Sequence, residues 1–152
     1  MVTHLVRVAP AIQLAKLSGF SPIITTASLK HEAFLETLGA THVIDRNTPA
    51  TALAGKVAEI TNRPLDIVFD SVSSNETQKF SHDLTAAGGT TVVVLPPQVD
   101  AVQGKEFVFA VGYFRFPHTR PLGETLYSNL TQLIEDGHIK VCFSESPRCD
   151  YG

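Results

Sequence analysis

Three side chains suited to binding a phosphate lie close together in the run Thr26-Ala27-Ser28-Leu29-Lys30. The hydroxyls of Thr26 and Ser28 can donate hydrogen bonds, and the Lys30 ammonium adds a positive charge, so together they suit a phosphate dianion. No acidic residue interrupts the run. A second interpretation is that Ser28 caps the following helix and Lys30 is a solvated surface charge. The residue types alone leave both interpretations open.

A second polar stretch, Asp70-Ser71-Val72-Ser73, follows another apolar run. Its carboxylate and hydroxyls could line a ligand crevice. A strand-end aspartate also commonly accepts hydrogen bonds from the backbone of the turn that it begins, and this is the favoured interpretation of Asp70.

Other chemically capable residues form no recognisable catalytic group. The six histidines are scattered, and neither His-x-x-x-His nor Gly-x-Ser-x-Gly occurs, so a hydrolase has no support. Tyr127 is interpreted as a core-packing residue, because its spacing from neighbouring leucines is that of a partly buried helix position. His118 and Arg120 are interpreted as ordinary exposed loop residues.

Short apolar runs alternate with longer helical patterns along the whole chain, which is typical of βαβ units. The runs are continuously apolar, as in strands that helices cover on both faces. Strands are predicted at Pro22–Thr26, His42–Asp45, Asp66–Ser71, Thr90–Leu95 and Phe107–Tyr113. The pattern therefore predicts an α/β fold with a doubly wound parallel sheet.

Glycine, proline and small polar residues mark where the intervening helices begin and end. Helices are predicted at Ala11–Leu17, Leu29–Leu38, Pro49–Thr61, Glu76–Ala87 and Gly123–Asp136. The last of these would place Leu126, Leu130, Leu133 and Ile134 on one face. Right-handed crossovers would join the strands into one sheet.

Ligands of open parallel sheets bind outside the carboxyl ends of the strands. The run from Thr26 to Lys30 follows the first strand, where NAD-selective domains present an acidic residue to the adenosine ribose. Hydroxyls and a cation in its place favour a 2′-phosphate, and hence NADP over NAD. The stretch after Asp70 would lie near the adenine or the pyrophosphate. A methyltransferase-like domain is disfavoured because it too needs an acid after this strand.

Charge and cysteine content exclude several partners. Lys and Arg total 12 against 15 Asp and Glu, a net charge of -3, so no basic field is present to neutralise nucleic-acid phosphates. The apolar runs are far shorter than the roughly 20 residues of a membrane span, and Met1 to Pro10 lacks the apolar core of a signal peptide. Cys142 and Cys149 match no metal or redox spacing. We expect one cytoplasmic domain with reduced thiols and no metal.

Four segments carry a family resemblance: AIQLAKLSGFSPIITTAS, KHEAFLETLGATHVIDRN, LDIVFDSVSSNETQ and AAGGTTVVVLPP. They resemble the coenzyme-binding domain of medium-chain dehydrogenase/reductases, and most of all the zinc-independent, NADPH-dependent branch with trans-acting enoyl reductases and quinone-oxidoreductase-like proteins. This resemblance implies a Rossmann-type sheet and hydride transfer from NADPH to an enoyl or quinone-like acceptor. It places Ser28 and Lys30 at the 2′-phosphate, and Asp70, Ser71 and Val72 in the coenzyme crevice.

The chain departs from that family at both ends. Arg7-Val8-Ala9-Pro10 stands where the family has a strand and a glycine-rich turn, and no glycine precedes Gly19. Side chains there would obstruct close backbone approach to a pyrophosphate, so we expect weak coenzyme affinity. The expected organisation is a non-matching segment 1–10, an incomplete NAD(P)-binding domain 11–140 and a non-matching tail 141–152.

From these departures we expect a truncated domain that is inactive alone. We also expect it to form a homo-oligomer through an exposed sheet edge at FVFAVGY, residues 107–113. The alternative is a non-catalytic remnant or interaction module that binds no coenzyme.

Overall fold

The computed structural model describes residues 5–140. The chain divides into two compact units, Met1–Ala110 and Val111–Gly152. The first unit contains α1 (Leu5–Leu17), β1 (Ile24–Ala27), a 3-10 turn (Leu29–His31), α2 (Glu32–Leu38), β2 (His42–Asp45), α3 (Ala50–Ile60), β3 (Leu65–Asp70), α4 (Asn75–Leu84), β4 (Thr85–Val93) and β5 (Glu106–Phe109). The second unit contains α5 (Arg120–Glu135).

Every strand pair in the first unit is parallel, which confirms the predicted α/β class. The strands form two sheets, β1-β2 and β3-β4-β5, where one continuous sheet was expected. Among residues 5–140, β1 and β3 do not hydrogen-bond to each other, and no other strand joins them. A cavity of about 220 Å³ is lined by both of these strands together with α1 and the end of α3.

Helices cover both faces of β1. Ile23, just before the strand, packs in a cluster with Ile12 of α1 and Leu35 of α2. The next residue, Ile24, packs in a second cluster with Leu53 and Val57 of α3. Since successive strand residues point to opposite faces, α1 and α2 lie on one face and α3 on the other. This is the doubly wound arrangement that the continuous apolar runs predicted.

Helix α1 begins at Leu5, six residues before the predicted start, and includes Pro10. Proline has no N–H, so the helix lacks the hydrogen bond that residue 10 would donate one turn back. Val8 and Ile12, one turn apart, are both buried in the core. The apolar face thus continues upstream of Pro10, and its burial offsets the missing bond.

Helix α4 was predicted to run to Ala87 but ends at Leu84. The Thr85 hydroxyl donates to the Ser81 carbonyl at 2.8 Å, and Thr85 already pairs with Leu65 of β3. Gly88 and Gly89 therefore lie within β4 and do not terminate the helix. A Cβ at Gly89 would lie 2.7 Å from the carbonyl oxygen of Asp66, so only glycine fits this close approach of two strands.

Among the strands, the largest differences from prediction are at β4, which begins at Thr85 where Thr90 was predicted, and at the end of β5. β2 matches the prediction, whereas β5 ends at Phe109, before the predicted Tyr113, and α5 begins three residues early. Half-buried Leu126, Leu130 and Leu133 form the predicted face of α5, but Ile134 is exposed. No helix among the described residues is long and apolar enough to cross a membrane. Cys142, Cys149 and the rest of the predicted tail lie outside the described residues.

Candidate functional site

The loop after β1 holds the predicted phosphate-binding residues Ser28 and Lys30. Ser28 has extended backbone before the 3-10 turn, and its carbonyl accepts a hydrogen bond from the His31 N–H at 2.9 Å. Its side chain makes no capping hydrogen bond, so the interpretation of its hydroxyl as a cap is wrong. Lys30 is exposed and forms no ion pair with any described residue. Both side chains are accessible to an anionic ligand.

Thr26 lies deeper than these two residues. It is 2% exposed and sits within β1, where it pairs with Ile44 of β2. Its position in the sheet places it beneath the loop. Its assignment as a coenzyme contact stays a prediction.

Arg46 adds a cation that the sequence analysis missed. The register of β1 and β2 sets Ala27 opposite Asp45, and the Arg46 N–H donates to the Ala27 carbonyl at 2.9 Å. The exposed Arg46 therefore begins directly beside the carboxyl end of β1. The neighbouring Asp45 carboxylate accepts hydrogen bonds from the backbone and side-chain N–H groups of Asn47, at 2.9 and 3.0 Å.

Asp70 organises the turn after β3. Its Oδ1 accepts hydrogen bonds from the backbone N–H groups of Val72 and Ser73, each at 2.9 Å, which confirms the strand-end interpretation. Ser73 has a positive φ of 57°, rare for a residue with a side chain. Its hydroxyl donates to the Asp70 carbonyl and accepts from the Val94 N–H, both at 2.8 Å. The turn is thus bonded to itself and to the end of β4.

Gln78 of α4 ties this turn to the segment after β4. Its side-chain amide donates to the carbonyls of Ser73 and Pro96, both at 3.1 Å, and its Oε1 accepts from the Gln98 N–H at 2.7 Å. The side chain is completely buried. A lone glutamine on a polar helix carries no distinctive sequence signal, so Gln78 was not among the candidates.

Beside these bonded groups lie the other predicted crevice residues. Ser71 is completely buried and Val72 is half-buried. The second carboxylate oxygen of Asp70, Oδ2, is buried without a hydrogen-bond partner in the described part of the chain. A buried acceptor of this kind suits a ligand group that donates a hydrogen bond.

The cavity between β1 and β3 lies apart from these loops. Its lining includes Pro22, Arg63 and Pro64, which precede the amino ends of the two strands. The polar loops follow the carboxyl ends. The cavity is therefore not the predicted coenzyme crevice.

Candidate residues of the second unit show no catalytic grouping. His118 stacks on Phe116 with ring centroids 5.6 Å apart, and Arg120 is the first residue of α5. Tyr127 is 65% exposed and meets Phe114 edge-on at 5.7 Å, so its predicted role in core packing is wrong. Among the residues that the structure describes, no three His, Cys, Asp or Glu side chains are grouped to hold a metal ion.

Comparison with known proteins identifies the family. Residues 10–111 match the family model of zinc-binding dehydrogenases. Trans-enoyl reductase himH of Aspergillus japonicus is 34% identical over 104 residues, 67% of this chain and 29% of that protein. The dual trans-enoyl reductase/FAD-dependent monooxygenase tazHJ of Aspergillus terreus is 32% identical over 106 residues, 70% of this chain and 15% of that protein. The chain spans less than a third of the length of these relatives.

Solved structures share the fold. The mycobacterial protein Rv1454c, in complex with NADPH, gives a TM-score of 0.73 at 24% identity over 93% of this chain and 46% of that chain. The quinone oxidoreductase of Pseudomonas syringae gives 0.71 at 21% identity, over 93% of this chain and 47% of that chain. These likenesses confirm the Rossmann-type α/β fold, and with residues 10–111 matching the family model, the chain belongs to the zinc-binding dehydrogenase family.

Proposed function

We propose that the first unit binds NADP(H) at the carboxyl ends of β1 and β2, with Ser28, Lys30 and Arg46 around the 2′-phosphate of the adenosine ribose. One observation carries the proposal. A hydroxyl that makes no capping bond and two exposed cations, neither ion-paired in the described part of the chain, follow two adjacent parallel strands. Such donors suit a phosphate dianion.

The loop after β1 carries no acid at the place proposed for the phosphate. No acidic residue lies between Ile24 and Lys30, and Asp45 has one carboxylate oxygen engaged by Asn47. An acid that would hold the 2′- and 3′-hydroxyls of NAD is therefore missing from its usual place after β1. This composition favours NADPH over NADH.

We place the uncharged parts of the coenzyme beside the turn after β3. The unpartnered Asp70 Oδ2 would repel a phosphate but can accept a hydrogen bond from a ribose hydroxyl or an amide. Ser71 and Val72 adjoin it in the turn. The residues present thus fit a nicotinamide dinucleotide with its 2′-phosphate by β1 and donor groups by β3.

The start of α1 bears on affinity. Helix α1 already begins at Leu5, so residues 7–10 form helix where a glycine-rich turn would approach a pyrophosphate, and no glycine precedes Gly19. We therefore expect weaker binding than in a domain that has this turn.

The bound coenzyme would supply a hydride. For the whole protein we propose reduction of an enoyl or quinone-like acceptor, the class to which the relatives' names refer. The residues identified here bind and orient the coenzyme, and no described residue is placed to fix an acceptor opposite it. Because positioning both reactants contributes much of the rate, we expect the 152-residue chain alone to show no measurable turnover.

Titration with NADPH and NADH tests the binding proposal. Lys30→Ala should weaken NADPH binding about tenfold and leave NADH binding nearly unchanged, since a hydrogen bond to a charged group contributes about 1.5 kcal/mol or more. Lys16→Ala is the matched control, because Lys16 is an exposed lysine at the far end of α1. A native preference for NADH, or equal loss for both coenzymes, contradicts the 2′-phosphate assignment. Binding of neither coenzyme would favour an interaction module.

We also propose that β5 pairs with a second copy of the chain. β5 bonds to β4 on one side, and its Val108 and Phe109 are 39% and 41% exposed. Edge strands of this kind pair readily with another chain. Sedimentation velocity should detect a concentration-dependent dimer, which Val108→Lys weakens and Val102→Lys, an exposed control before the strand, does not. A clean monomer at high concentration contradicts the proposal.

A further inference from the structure

His82 lies in the last turn of α4 and is almost completely buried, at 2% exposure. Its Nε2 lies 3.0 Å from the backbone nitrogen of Val102, and its ring stacks on Phe107 with centroids 4.2 Å apart. A backbone N–H can only donate, so Nε2 must be the unprotonated nitrogen. The imidazole is therefore neutral and carries its proton on Nδ1.

The other ring nitrogen completes a chain of hydrogen bonds that run in one direction. Nδ1 lies 3.1 Å from the Thr91 hydroxyl, which lies 2.8 Å from the Thr85 hydroxyl. Thr85 donates its proton to the Ser81 carbonyl at 2.8 Å. Thr91 must then donate to Thr85 and accept from His82. This chain fixes one proton on Nδ1, so a second proton must go to Nε2, the atom that accepts from the Val102 N–H.

Burial and the nearest cation also disfavour a second proton on His82. From the segment before β5, the Lys105 ammonium donates to the carbonyls of His82 and Asp83 at 2.7 and 3.3 Å. Burial lowers the pKa of His82 most, Lys105 lowers it further, and Asp83 raises it. Asp83 is itself ion-paired with Lys79 at 2.9 Å. On the side of the His82 ring that faces β4, the hydrogen-bonding neighbour is Thr91, which is uncharged.

The connection between β4 and β5 is held to α4 at three places, the last of which is the Lys105 ammonium on the His82 and Asp83 carbonyls. Gln78 binds the Pro96 carbonyl and the Gln98 N–H, and one helical turn later His82 binds the Val102 N–H. Of these three anchors, only the His82 ring is of a type that changes charge between pH 5 and 8. Protonated Nε2 and the Val102 N–H would be two donors facing each other, which removes the bond and adds repulsion.

We propose that His82 is an acid-sensitive latch: its neutral ring holds Val102, and its protonation releases the backbone around Val102, while Gln78 holds the connection before it and Lys105 holds it just before β5. The latch is independent of coenzyme binding. Its effect is to loosen the approach to an edge strand as the pH falls.

Amide hydrogen exchange of the full chain, measured by NMR from pH 7.5 to 5 and corrected for intrinsic exchange, tests the latch. The protection factor of Val102 should fall at least tenfold as the pH drops from 6.5, the ordinary pKa of histidine, towards the lowered pKa of His82, while that of Gln98 changes little. His82→Gln, whose amide oxygen can still accept from Val102, should remove the pH dependence. His42→Gln, at an exposed histidine, should leave it unchanged.

Three results would overturn the proposal. One is Val102 protection that stays constant while His82 takes up its proton. Another is equal loss at Val102 and Gln98, because the anchors at His82 and Gln78 would then open together. The third is unfolding of the whole first unit before Val102 loses protection, because no separate latch step would exist.

Discussion

The loops after β1 and β3 both follow the carboxyl end of a parallel strand, yet they use their polar groups in opposite ways. After β3, Asp70 and Ser73 hydrogen-bond to the turn itself and to the end of β4. After β1, Ser28 makes no capping bond and Lys30 is exposed. The first loop is held by its own residues, and the second keeps donors available for a ligand.

The difference separates stability from binding. Removing a group that satisfies buried backbone donors lowers the free energy of unfolding, because those donors are left without partners. Removing an exposed donor without a partner costs the folded protein almost nothing and shows only when a ligand is present. Mutations in the loop after β3 should therefore change the free energy of unfolding, and mutations in the loop after β1 should change ligand affinity.

The largest expected effect is at Asp70. Asp70→Ala should lower the free energy of unfolding by about 3 kcal/mol, because it leaves two backbone N–H groups of the turn without their acceptor. Urea denaturation measures the change. Asp70→Asn, which keeps one side-chain oxygen as an acceptor, is the control and should lose distinctly less. A loss below about 0.5 kcal/mol for Asp70→Ala would mean that the turn does not depend on this carboxylate.

A smaller effect is expected from two serines that both occupy helix-start positions. Ser74 caps α4 by accepting a hydrogen bond from the Thr77 N–H at 3.2 Å, whereas Ser28 caps nothing. Ser74→Ala should lower the free energy of unfolding by about 1 kcal/mol. Ser28→Ala should change it by less than about 0.5 kcal/mol and weaken NADPH binding severalfold. Equal destabilisation by both changes would remove the distinction between the two loops.

The strands and fold class could be predicted because burial on both faces leaves a strong local pattern of β-branched residues. β2 was located without error, since His42 to Asp45 is bounded by helix-ending and turn residues. The end of α4 was missed because Gly88 and Gly89 look like a helix stop. Their actual role depends on how closely Asp66 of the neighbouring strand approaches. Such a contact has no signature in the local sequence.

The candidate site was predicted in part for a similar reason. Ser28, Lys30 and Asp70 follow strands directly, and the rule for parallel sheets points to them. Arg46 becomes relevant only once β2 is known to pair with β1. Gln78 becomes relevant only once α4 is known to pack beside the ends of β3 and β4. The relevance of Arg46 and of Gln78 depends on residues that are neighbours in the fold but distant in the sequence.

The division into two sheets bears on which parts of the first unit unfold locally and expose their amides to exchange. Strands joined in one ladder tend to open together, because each locks the amides of the next. No ladder joins β1 to β3 among the described residues. The two sheets are coupled through side chains, with Phe69 on the cluster around Ile12 and Leu65 on the cluster around Val57. The β1-β2 pair is therefore a cooperative element of its own, and we expect its amides to exchange through a lower-energy opening than those of β4, which is flanked by strands on both sides.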